Sequence, residues 1–75
     1  MSAVEIVRAH WREVLGVAQA NPEDGFFEMG GNSLLAIDLI ERIEKDLEVQ
    51  LPVEVLFTDG SLAALLDASA KAISK

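Results

Sequence analysis

Cysteine and tyrosine are absent from this 75-residue sequence, histidine and tryptophan occur once each, proline twice, and lysine and arginine together only six times. Each shortage closes off a class of function. Without cysteine there is no disulfide framework and no thiolate metal site, and the single histidine, His10, leaves no imidazole cluster, so no metal is expected. Six bases against thirteen acids give a net charge of −7, with no basic cluster to overrule the average. Such a surface repels nucleic-acid phosphate and anionic lipid and is steered toward basic patches on other proteins. No apolar run approaches the ~18 residues of a membrane span, and Met1-Ser2-Ala3-Val4-Glu5 lacks the basic and apolar regions of a signal peptide. The expectation is a cytoplasmic monomer that touches neither nucleic acid nor membrane and meets larger, basic-faced proteins.

What is present is a folding sequence: 51% hydrophobic residues with 25% charged suits one small globular domain over residues 1–75. Packing alone must stabilise it, and net stability of about 3–5 kcal/mol is expected at this length. Helical spacing of Val4, Val7, Trp11 and Val14 predicts a first helix over Ala3 to Leu15, stopped by Gly16. Val17 to Asn32 is too rich in Asn-Pro, Asp-Gly and Gly-Gly to be helical, and so long a loop needs pinning by Phe26, Phe27 or Met29. A second helix runs from about Ser33 to Asp46 with Ala36, Leu39, Ile40, Ile43 and Leu47 on its core stripe. Leu34 lies opposite that stripe and Ile37 a quarter turn from it, so both need another use. Pro52 opens a short helix to Phe57, and Ser61 caps a last one carrying Leu62, Leu65, Leu66, Ser69 and Ile73. The fold class is all-α: a bundle of three longer helices plus one short helix.

The stretch Phe26-Phe27-Glu28-Met29-Gly30-Gly31-Asn32-Ser33-Leu34-Leu35 carries most of the information. Two glycines let the chain turn sharply just before a helix, and Asn32 or Ser33 supplies the cap. A hydroxyl there is unobstructed and sits at the positive end of the helix dipole, where a phosphate ester is favoured.

On these residues the chain resembles the phosphopantetheine-dependent carrier proteins, above all the peptidyl carrier (thiolation) domains of nonribosomal peptide synthetases. Trp11 with Val14-Leu15-Gly16, the segment Asp24 to Leu34, and Leu51-Pro52-Val53-Glu54-Val55-Leu56-Phe57 followed by Ser61-Leu62 match that family along nearly the whole chain. The combination is far more specific than a bare Gly-Gly-x-Ser. The resemblance implies a non-catalytic carrier. A phosphopantetheinyl transferase would place 4'-phosphopantetheine from coenzyme A on Ser33, beside Gly30, Gly31 and Asn32. The arm would then shuttle thioester-bound intermediates from an adenylation enzyme or acyltransferase to condensation, tailoring or release enzymes. Leu34 and Ile37 match positions that partners contact, and Val55 on the short helix is expected on the same side. Asn32 and Met29 stand where the family more often has His or Asp, and Leu. Four acids against two bases on the second helix make it less acidic than a fatty-acid-type carrier and favour the peptidyl type; the reading is a peptidyl or aryl carrier, with a polyketide-type acyl carrier the alternative within the class.

The bland readings are set beside these. Ser33 as an ordinary cap on a helical interaction adapter is the alternative of another class, and Ser61 is that kind of serine. A hydrolase nucleophile needs a preceding strand and a second glycine where Leu35 stands, and a P-loop needs a following lysine; neither pattern is met. Trp11, Phe26, Phe27 and Phe57 are expected as plain core rather than an acyl pocket, Trp11 and one of the Phe pair foremost. His10 reads as a surface or boundary residue, and Glu5, Arg8, Lys71 and Lys75 as solvated charge.

Overall fold

A computed structural model describes residues 2–74; Met1 of the amino-terminal segment and Lys75 lie outside the described residues. The first helix, α1 (Ala3–Leu15), starts where the Ser2 hydroxyl accepts from the Glu5 N–H and closes at Gly16 in the left-handed region. The second, α2 (Ser33–Leu47), is followed by α3 (Glu54–Thr58) and α4 (Leu62–Ile73). Ser61 caps α4 through its hydroxyl, which accepts from Ala64 N–H at 3.1 Å. Among the described residues there is no strand, only an isolated bridge between Gly25 and Ser61.

The predicted stripes form the core. Val7 and Trp11 of α1, Ala36, Leu39, Ile40 and Ile43 of α2, Leu56 of α3 and Leu62 and Leu65 of α4 are buried together with Phe26 from the loop. Helix α1 packs on both α2 and α4, and α3 on α4. Two stripe ends depart from expectation: Val4, in the first turn of α1, and Ile73, in the last turn of α4, are exposed. Phe57, expected in the core, is also exposed, while Leu56 beside it is buried. The short helix begins at Glu54, two residues later than the opening expected at Pro52; Val53 precedes it, and its carbonyl accepts from Leu56 N–H at 3.0 Å.

The long α1–α2 connection is stitched down by its own backbone. Phe26 N–H donates to Gly60 O, Leu62 N–H to Asp24 O and Ala63 N–H to Pro22 O, at 2.6, 3.0 and 2.9 Å. These bonds satisfy polar groups that a half-buried loop would otherwise strand, among them N–H groups of the first turn of α4. One turn later Phe26 inserts its side chain edge-on against Trp11, with ring centroids 5.5 Å apart and planes at 70°. The loop is therefore a wall of the core. It also fixes where α2 starts.

His10 is more than a boundary residue. Its Nε2 lies 2.6 Å from Asp46 Oδ2 and its Nδ1 3.8 Å from Glu13 Oε1, while Arg42 reaches Asp38 at 3.2 Å and Glu13 at 3.9 Å. Thus α1 and α2 are tied on their outer edge by polar groups 36 residues apart in sequence. Pattern reasoning had no signal for that tie, since neither residue is apolar.

Candidate functional site

The turn before α2 is built by three backbone bonds. Met29 N–H donates to Gly25 O, Gly30 N–H to Phe27 O and Gly31 N–H to Phe26 O, at 3.0, 3.2 and 3.0 Å. Gly30 adopts φ +100°, a conformation that side-chain-bearing residues rarely take. Gly31 is required for a different reason. A Cβ there would stand 2.4 Å from the Phe26 ring and 2.8 Å from the Phe26 carbonyl oxygen. Burying Phe26 and omitting a side chain at Gly31 are one requirement.

From this turn the chain extends into Asn32, whose Oδ1 accepts from Leu35 N–H at 2.9 Å and whose carbonyl accepts from Ala36 N–H at 2.9 Å. Asn32 is thus the cap, resolving the choice that the sequence left open, and Ser33 is the first helical residue. Its side chain is exposed and is not committed to capping. The cap is uncharged, and the first turn of α2 carries no acid. The positive end of the dipole is therefore free to act on whatever the hydroxyl bears.

Around Ser33 the apolar residues divide. Leu34 is 79% exposed and Ile37 47% exposed, as the helical wheel required. Val55 is less exposed than either and packs partly against the core, beside the buried Leu56. Phe26 is buried, whereas Phe27 is 40% exposed and meets Phe57 in a stacked contact at 5.5 Å between centroids. That pairing was missed in the sequence. The double Phe signalled one inward ring, but nothing in it pointed the other ring at residue 57.

The residues present fit a covalent phosphodiester: an open hydroxyl on a glycine turn, at an uncompensated helix N-terminus. The single histidine, His10, is engaged with Asp46 on the outer edge of α1 and α2. Among the described residues no group of three or more His, Cys, Asp or Glu is poised to hold a metal, and no helix is long and apolar enough to cross a membrane. Between α3 and α4 the Asp59 carboxyl is held below its ordinary value by the Ser61 hydroxyl first and the Ser61 N–H second.

Fold and site together define a small helical carrier domain with a serine at the head of its second helix. Residues 5–69 match the family described as "Phosphopantetheine attachment site". The chain belongs to that family, whose members carry covalently attached 4'-phosphopantetheine. It is 44% identical over 61 residues to phosphinothricin tripeptide synthetase PhsC of Streptomyces viridochromogenes, an overlap of 81% of this chain but only 6% of the synthetase. The chain therefore spans a small part of that relative. Among solved structures, it aligns with a TM-score of 0.85 and 30% identity to a chain in the complex of the phosphopantetheine transferase Sfp with coenzyme A and a peptidyl carrier protein, over 95% of this chain and 92% of that one. The solution structure of PCP, a prototype for the peptidyl carrier domains of modular peptide synthetases, aligns with a TM-score of 0.77 and 31% identity, over 93% and 92% of the two chains. The all-α carrier fold expected from the sequence is the fold found.

Proposed function

We propose that Ser33 is the attachment point and that residues 1–75 act as one peptidyl or aryl carrier unit, a non-catalytic holder of thioester-bound intermediates. The observation that carries this is the division between Asn32 and Ser33: the cap is made by Asn32, leaving an exposed serine hydroxyl at a helix tip with no acid beside it. In the proposed loading step a partner transferase takes the Ser33 proton, the serine oxygen bonds to the pantetheine-bearing phosphorus of coenzyme A, and the pyrophosphate bond breaks with adenosine 3',5'-bisphosphate as the leaving group. The arm supplies a terminal thiol for acyl or aminoacyl groups. Gly30 and Gly31 shape the turn, Asn32 holds the helix start, and Leu34 and Ile37 offer an apolar contact to partners.

The proposed partners are a phosphopantetheinyl transferase, an adenylation enzyme or acyltransferase, and condensation, tailoring or release enzymes; the carrier itself is monomeric. Since the arm's donor is coenzyme A, a cytoplasmic location goes with this reading. The polyketide-type reading has less support, because α2 mixes Arg42 and Lys45 with its acids and exposes Leu34 and Ile37.

Intact mass after incubation with coenzyme A and a broad-specificity transferase tests the proposal. One added phosphopantetheine on the parent chain, absent in Ser33→Ala, is the expected result. An unmodified parent chain points to the adapter, and addition that persists in Ser33→Ala moves the site elsewhere.

A further inference from the structure

A row of aromatic rings leads out of the core and ends beside the attachment turn. Trp11 and Phe26 are fully buried. Phe26 meets Phe27 edge-on at 5.5 Å, and Phe27 stacks on Phe57 at 5.5 Å with 30° between ring planes. These last two rings are 40% and 49% exposed and come from different elements, the loop and α3. Stacking leaves a two-ring surface still open to water, which favours a ligand that covers it.

Position and charge indicate which ligand. The Phe27 carbonyl accepts from Gly30 N–H at 3.2 Å, and the three residue-to-residue steps from Gly30 to Ser33 span at most about 11 Å even when fully extended. A phosphopantetheine arm, with phosphate, pantoyl, β-alanyl and cysteaminyl units in series, is longer than that. A group at its tip reaches the ring pair without leaving the domain. The tether gives it an effective concentration in roughly the millimolar range, at which a weak apolar contact is well populated. An untethered partner gains nothing of the kind. Charge narrows the class further: no lysine or arginine occurs between Arg12 and Arg42 or between Lys45 and Lys71, so the loop and α3 offer an acidic group no counter-charge.

Resting on the reading of Ser33 as the attachment point, we propose that Phe27 and Phe57 form a shelf on which the domain's own arm lays its cargo, and that the shelf selects neutral aryl or branched apolar acyl groups over carboxylated ones. Between partner encounters the acyl group lies against these rings instead of trailing in water.

The test loads isotope-labelled protein from benzoyl-coenzyme A and, separately, malonyl-coenzyme A, with loading verified by intact mass. Isotope-filtered NMR is expected to show benzoyl protons in contact with both rings and no ring contact from the malonyl form. In Phe57→Ala and Phe27→Ala the benzoyl contacts are lost. Phe57→Leu, which keeps apolar volume, weakens them while preserving the fold. Complete loading without ring contact overturns the shelf, as do contacts centred on Leu34 and Ile37 or contacts that survive both alanine variants. Failure to gain the arm's mass is a separate outcome, which overturns the attachment reading and the shelf with it.

Discussion

Asn32 and Ser33 stand side by side at the start of α2, and only Asn32 caps it. The amide oxygen of Asn32 satisfies the first turn, so a substituent on Ser33 removes no hydrogen bond from α2. Beside them, Gly31 is held to the smallest side chain by the Phe26 ring. Gly31→Ala is expected to cost about 1–3 kcal/mol by overpacking, read as a lower urea midpoint with the slope unchanged, and to slow loading of Ser33 as the turn shifts. Leu34 and Ile37 behave oppositely. Leu34→Asp or Ile37→Asp is expected to change stability by no more than about 0.5 kcal/mol while slowing transfer to or from partner enzymes about tenfold. Thermal melts beside transfer kinetics check this, and a collapse of the melting temperature would place the side chain in the core.

The elements were legible where apolar periodicity was strong and ended in a recognisable cap. Helix α1 falls on its expected bounds, α2 runs one residue past Asp46, and α4 starts from Ser61 as its sequence indicates. What escaped were features with no periodic signal. The His10 to Asp46 tie joins two polar residues, the bonds between loop and α3–α4 junction are backbone to backbone, and α3 is too short for a helical wheel to say that Leu56 turns inward and Phe57 outward. The α3–α4 junction has its own electrostatics. Ser61 donates to Asp59 and holds its carboxyl below the ordinary value of 3.8, so the ionised form is favoured in the folded state. That contribution is whole above the unfolded value and is lost as pH falls through the lower folded one. Urea midpoints from pH 5 downward are therefore expected to drop less steeply in Asp59→Asn than in the parent chain. Parallel curves would show that other carboxylates account for the acid sensitivity.

At the scale of the molecule, one layer of buried side chains from four helices and a loop carries most of the stability, because a chain without cysteine has no disulfide to add to it. Ile43→Ala or Leu39→Ala, each deleting a fully buried branched side chain, is expected to cost about 2–5 kcal/mol. Against a total of about 3–5 kcal/mol, either change leaves a substantial unfolded fraction at room temperature, visible as lost helical circular dichroism and rapid amide exchange. Retention of a sharp unfolding transition near the parent's would mean that the core collapses around the gap.

The stitched loop has a consequence for engineering. Between Pro22 and Phe26 every shift in length would break pairing with Gly60, Leu62 or Ala63, whereas Ala18 and Gln19 are exposed and lie upstream of the stitches. Epitope tags or fluorophore-bearing peptides grafted at that upstream pair would be tolerated, giving a handle for following cargo traffic without disturbing the serine.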